Sequence, residues 1–164
     1  MAATIVRYVL RFFNMKRILF VCHGNICRSP MAELIFKSLI KEEGLDDCFY
    51  VESAATSTEE LGNPVYPPAA RELARHGISS KGKYARQITR LDYNSFDLII
   101  GMDSANIRNM HRLFGADPDG KIKKLLDYVE RGGDVADPWY TGNFDETYSD
   151  VYLGCVALLR SLKG

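Results

Sequence analysis

The segment Cys22-His23-Gly24-Asn25-Ile26-Cys27-Arg28-Ser29-Pro30 sets a thiol and a guanidinium in one short loop, with five residues between them. A thiolate is a strong nucleophile, and a planar guanidinium pairs with two phosphoryl oxygens at once, so the couple suits attack on phosphorus. Spacing alone is weak evidence, because a chain with four cysteines meets this pattern by chance roughly a fifth of the time. The neighbours add weight. Gly24 and Asn25 are residue types that tolerate the positive φ needed to turn backbone amides inward around an oxyanion. Pro30 fits the first position of a following helix, which requires no N–H, and Ser29 fits its cap.

A nucleophile and a clamp leave the departing oxygen unattended. Asp137-Pro138-Trp139-Tyr140 supplies a carboxyl group that can protonate it, a proline that stiffens the backbone beside the acid, and two aromatics to flank a ring substrate. Asp-Pro is common in plain turns. Its conjunction with the first loop is what makes a catalytic reading.

These residues need elements to position them. Residues 17–21 (RILFV) read as a short buried strand, and residues 30–40 place Met31, Leu34, Ile35 and Leu39 at helical spacing. The Cys22–Pro30 segment therefore joins a strand to a helix N-terminus, where unpaired N–H groups and the helix dipole favour an anion. The same field favours the thiolate of Cys22. Residues 49–52 make a weak second strand, 53–68 a long Gly/Pro/Ser-rich loop, and 68–76 a helix stopped by Gly77. Residues 96–100 (FDLII) form a strand, Asp103 or Ser104 caps a helix ending near Gly115, and 122–126 form a fourth strand. From 145 to 162, Tyr148, Val151, Tyr152, Cys155, Leu158, Leu159 and Leu162 fall three or four apart, as in an amphipathic helix. The alternation predicts an α/β fold, a parallel sheet with helices on both faces and its ligand at the carboxyl ends of the strands.

Composition sets the bounds. A chain of 164 residues, 46% hydrophobic and 26% charged, suits one soluble domain. Basic and acidic residues number 21 each, so no net field draws the chain to nucleic acid or to a membrane, and an anion site must be local. Cysteines in a chain able to pack its own core point to a reducing compartment and a cytoplasmic protein. Residues 1–14 (MAATIVRYVLRFFN) are interrupted by Arg7 and Arg11 and lack a small-residue cleavage site, while Met15 opens MKRILFVC. They are expected to be a dispensable extension to a single domain spanning 15–164.

In order, VCHGNICRSPMAE, SAATS, ARQIT, FDLIIGMDSANIR and DPWY resemble the low-molecular-weight protein-tyrosine phosphatases over about residues 16 to 162. The resemblance implies a four-stranded parallel sheet with the phosphate loop between its first strand and first helix. It implies Cys22 as nucleophile, Arg28 as clamp and Asp137 as acid, with no cofactor. Asn25, Ser29 and Ser53 would hold the loop by hydrogen bonds; His23, Gly24, Ile26 and Cys27 would complete it, and Glu59, Trp139 and Tyr140 would border the substrate. That substrate would be a phosphotyrosine-containing protein, with inorganic phosphate as product. In such proteins a cysteine at the place of Cys27 can trap the oxidised nucleophile as a disulfide. Glu59 stands where many members have an aromatic wall, and Lys83 where animal members have a histidine, so substrate preference and loop rigidity are where this chain departs.

Three other readings share the loop. An arsenate reductase would need cysteines near Arg90 to pass on a disulfide, whereas Cys48 follows the first helix and Cys155 lies in the last. A protein-arginine phosphatase would carry a small polar residue in place of Ile26. A non-catalytic phosphate-binding module would have no use for Asp137.

Overall fold

The computed structural model describes residues 15–164, and the expectation for residues 1–14 lies outside them. In chain order the elements are β1 (Lys16–Cys22), α1 (Arg28–Glu42), β2 (Phe49–Ala55), α2 (Pro67–Arg75), α3 (Asp92–Ser95), β3 (Leu98–Gly101), α4 (Ser104–Phe114) and β4 (Ile122–Lys124). A 3-10 turn (Leu125–Tyr128), α5 (Pro138–Thr141) and α6 (Phe144–Lys163) follow. The four strands are all parallel in the order β2-β1-β3-β4. From β1 the chain moves to one side, and from β2 it crosses back to the other. The carboxyl end of β1 therefore opens between the two crossovers, where an α/β sheet receives its ligand.

Strand alternation divides β1 between two cores. Ile18, Phe20 and Cys22 face α1 and α6, among Met31, Ile35, Phe36, Val151 and Leu158. Leu19 and Val21 face Ile99, Ile122 and Met110 of α4. Each fully buried side chain of this size contributes about 1.5–3 kcal/mol, so β1 is fixed from both sides and its last residue, Cys22, with it. Helices cover both faces, as the alternating pattern requires. Among the described residues no helix is long and apolar enough to cross a membrane.

Several boundaries differ from expectation. β2 continues to Ala55, which places Ser53 in a buried strand instead of the loop. The predicted strand over 122–126 stops at Lys124, because the Asp127 carboxylate accepts the Lys124 amide (3.2 Å) and turns the chain into the 3-10 segment. The N-cap of α1 is Cys27, without a side-chain bond, so Ser29 is not the cap and Pro30 is the third helical residue instead of the first. Proline remains harmless there because first-turn N–H groups have no partner inside the helix. The Ile26 carbonyl accepts the Tyr66 amide instead (2.9 Å). The four-residue helices α3 and α5 were too short to show a period.

Candidate active site

Beyond Cys22 the chain reverses through Asn25, the one non-glycine residue with positive φ (59°) among the described residues. The Asn25 amide points at Cys22 Sγ (3.3 Å). Gly24, expected to share that conformation, does not have a positive φ; a Cβ there would make ordinary contact with Cγ of Glu60 at 3.4 Å, which places the Glu60 stem against the loop. The Asn25 side chain is fixed at both ends. Its Oδ1 accepts from the Arg86 amide (3.1 Å), while its Nδ2 donates to Ser29 Oγ (2.8 Å) and Ser53 Oγ (2.9 Å). The Arg86 segment is held in turn by guanidinium bonds to Asp92 and Glu52.

This arrangement gives the hydrogen bonds a direction. Glu33 is 4% exposed; Lys83 stands 3.0 Å from its Oε1 and Lys37 donates to its Oε2 at 2.7 Å. Burial would push the Glu33 carboxyl up, but Lys83, Lys37 and the Ser53 hydroxyl outweigh it and hold the group below its ordinary value. As a carboxylate Glu33 only accepts, so Ser53 Oγ donates to it (2.7 Å) and receives the Asn25 amide hydrogen. Ser29 Oγ also receives from Asn25, which leaves its own hydrogen for Cys22 Sγ at 3.0 Å. Lys83 closes the network where the resemblance would place histidine, and it also donates to the Ser53 carbonyl (3.2 Å).

Arg28 enters the site from the first turn of α1, its side chain 3% exposed. Nη1 donates to Asp103 Oδ2 (2.6 Å) and the Val135 carbonyl (2.9 Å); Nη2 makes a longer contact to Asp137 Oδ2 (3.4 Å). Burial works against its charge, but Cys22, Asp103 and Asp137 overcome that effect and raise its pKa further. Asp103 is itself anchored. Its Oδ1 caps α4 on the Asn106 amide (2.8 Å), and Asn106 Oδ1 returns a bond to the Asp103 amide (3.1 Å). No described residue accepts from Arg28 Nε, and the only acceptor for Nη2 among them is Asp137 Oδ2.

Asp137 caps α5, with Oδ1 accepting the Trp139 amide (3.1 Å) and Oδ2 turned to Arg28. It shares with Cys22 and Arg28 a cleft of about 130 Å3. His23, Gly24, Ile26, Cys27, Glu59, Trp139 and Tyr140 line the same cleft. Trp139 rests on Tyr66 (ring centroids 5.1 Å apart), while Tyr140 is 85% exposed. Asn25 and Ser29 are buried with Ser53, where their side chains hydrogen-bond one another, and do not line the cleft. Burial, aided by Cys22 and Asp137, pushes the Cys27 thiol up to about 12, so it stays protonated beside Cys22. Cys155 is fully buried in the core with its sulfur on the Ala32 carbonyl, out of reach of any disulfide relay.

Four supporting residues went unrecognised in the sequence: Glu33, Glu60, Arg86 and Asp103. Glu33 left one signal, an acid among Met31, Ala32, Ile35 and Phe36 on the buried side of α1. Asp103 was visible only as a cap.

The sequence model of the family described as low molecular weight phosphotyrosine protein phosphatase matches residues 17–164. The chain is 44% identical over 151 residues to the low molecular weight protein-tyrosine-phosphatase YfkJ of Bacillus subtilis, covering 91% of this chain and 97% of that protein. It is 41% identical over 154 residues to the low molecular weight phosphotyrosine protein phosphatase of Rattus norvegicus, covering 89% and 92%. The crystal structure of YfkJ superposes with a TM-score of 0.88 over 91% of this chain and 95% of the other. That of SP-PTP, from Streptococcus pyogenes, superposes with a TM-score of 0.82 at 43% identity, over 90% and 93%.

Proposed function

The chain belongs to the low molecular weight phosphotyrosine protein phosphatase family, and we propose that Cys22, Arg28 and Asp137 are the residues through which it hydrolyses phosphotyrosine monoesters. The phosphoryl group sits in the loop between β1 and α1, its oxygens received by backbone N–H groups and by the Nε/Nη2 edge of Arg28. Cys22 attacks in line: the S–P bond forms as the bond from phosphorus to the phenolic oxygen breaks. Asp137 gives its proton to that oxygen. As a carboxylate it then takes a proton from water, which attacks phosphorus, breaks the S–P bond and releases inorganic phosphate. The transition state is loose, so placement of charge carries most of the catalysis.

One observation supports this assignment most directly. The buried Arg28 guanidinium spans from its anchor at Asp103 to Asp137, in the same cleft as Cys22. Cys22 is only 2% exposed, which suits a long aryl phosphate, since a phosphoserine would not bring its phosphorus to the sulfur. A cytoplasmic enzyme of one domain, acting without cofactor, nucleic acid or membrane partner, accords with the free thiols of Cys22, Cys27 and Cys155 and with the balanced charge.

The test is hydrolysis of p-nitrophenyl phosphate and of a phosphotyrosine peptide in the presence of a chelator. Turnover by the parent and none by Cys22→Ser is expected. A parent inactive on both substrates would overturn the assignment.

A further inference from the structure

The cleft receives a phosphate dianion, yet carboxylates rim it. Glu59 and Glu60 come from the loop after β2, and Asp137 from the turn before α5. The basic side chains lining the cleft are Arg28, buried beneath the loop, and His23, whose Nε2 lies 3.0 Å from Glu59 Oε2. Glu59 is thereby engaged. Glu60 has no Lys, Arg or His partner among the described residues; its Oε2 accepts from Asn63 Nδ2 (2.6 Å). Its stem packs on the phosphate loop, close enough for a Cβ at Gly24 to touch it at 3.4 Å.

A carboxylate at this place repels the incoming phosphate, whereas a glutamine would fill the same space without that repulsion. The opposition is offset when the ligand brings a cation of its own close to its phosphate. Consecutive Cα atoms of an extended peptide stand ~3.8 Å apart, so a Lys or Arg one residue from phosphotyrosine can reach the rim while the ring points down to Cys22.

We propose that Glu60, assisted by Glu59, makes this enzyme select phosphotyrosines with Lys or Arg as neighbours and reject those flanked by Asp or Glu. The proposal rests on the phosphatase reading above and concerns the same cleft. Glu60 acts here as a specificity-determining residue. The energy involved is that of exposed ion pairs, so selection shows in the ratio of substrates and weakens with salt.

The experiment measures kcat/KM for three phosphotyrosine peptides that differ only in carrying Arg, Ala or Glu on both sides of the phosphotyrosine. The parent, Glu59→Gln, Glu60→Gln and the double variant are compared. For the parent, the Arg peptide should exceed the Glu peptide by about tenfold at low ionic strength, and Glu60→Gln should cut that ratio about threefold. The double variant should bring it close to unity. Taking ratios within each variant cancels any effect of the substitution on the chemical step. A parent ratio near unity, a preference for the Glu peptide, or a ratio unchanged in Glu60→Gln would overturn the proposal. p-Nitrophenyl phosphate has no flanking residues and reports the reaction alone, so a parent inactive on it and on every peptide would overturn the phosphatase reading instead.

Discussion

Asp103 divides its carboxylate between two tasks, with Oδ2 on Arg28 Nη1 at 2.6 Å and Oδ1 on the Asn106 amide in the first turn of α4. The clamp is thus fastened to the end of a helix, which is fastened to β3. Asparagine caps helices as well as aspartate does, so two substitutions separate the tasks. Asp103→Asn should keep the melting temperature near that of the parent and lower kcat/KM about tenfold, the difference between a charged and a neutral hydrogen bond. Asp103→Ala should lose the activity and also about 1 kcal/mol of stability. Activity of Asp103→Asn equal to the parent's, on any aryl phosphate, would show that the charge of Asp103 does not hold the clamp.

Asp137→Asn removes a transferable proton while keeping size and the cap on α5. Its deficit should therefore follow the leaving group. For a phosphotyrosine peptide, whose phenol has a pKa of about 10, turnover should fall on the order of 10²–10⁴. p-Nitrophenolate departs readily as an anion, so its phosphate ester should suffer less, and the basic limb of the pH profile should flatten. Single-turnover rates over a series of aryl phosphates check this, and equal losses across the series would remove Asp137 from the role of acid.

The Glu33 carboxyl is held below its ordinary value, so between its folded and unfolded values it binds fewer protons folded than unfolded. Its contribution to stability is then complete above the unfolded carboxylate range and fades as pH falls through the folded value. Lys83→Met withdraws the cation that most opposes the burial of Glu33. The variant should be less stable by about 1–2 kcal/mol at neutral pH, with one lysine still paired. The gap to the parent should narrow in acid below the ordinary glutamate value of about 4.3. Urea midpoints for both proteins across this range decide it; a gap constant with pH would mean that Lys83 acts through packing alone.

Cys27 lies in the nucleophile's own loop, but its thiol stays protonated. Attack on an oxidised Cys22 requires the Cys27 thiolate. Disulfide trapping should accordingly be slow and should quicken as pH rises. Peroxide-treated parent should regain activity with dithiothreitol, while Cys27→Ser should lose more of it permanently by over-oxidation. Equal recovery of the two proteins would exclude a protective role.

Gly154 sits inside α6 against the 3-10 turn, and a Cβ there would meet Leu125 Cγ at 2.5 Å. In an exposed helix, alanine at such a place would gain about 1 kcal/mol. Here the clash decides the sign, and Gly154→Ala should lose about 1–3 kcal/mol, read from the midpoint of urea unfolding. An increase in stability would show that Leu125 moves aside freely.

What the sequence disclosed, and what it withheld, follow from the range of the forces involved. The order of strands and helices was legible because RILFV, FDLII and the spacing of α6 report burial locally. Cys22, Arg28 and Asp137 were legible as candidates because each lies in a short segment of unusual composition. The support of Arg28 by Asp103 spans 75 positions, and that of Asn25 by the Arg86 amide spans 61. No local pattern encodes such pairs. Asp103 also carried a complete explanation as a cap, which concealed its second use. Ser29 and Pro30 were assigned their stations by helix-start rules, yet α1 begins earlier because the Cys27 carbonyl already accepts the Met31 amide at 3.1 Å.

The cap on α5 also bears on where the catalytic hydrogen resides. Oδ1 of Asp137 is occupied by the Trp139 amide, while Oδ2 looks across the cleft toward Arg28. On the proposed mechanism the two oxygens are not equivalent: Oδ2 alone gives up and recovers the hydrogen, and Oδ1 serves as the pivot. Rotation of the carboxyl group, which in free solution scrambles the two positions, here costs the bond from the Trp139 amide. Donation and recovery thereby favour the same oxygen in both half-reactions, so the carboxyl group need not turn over between giving the hydrogen and taking it back.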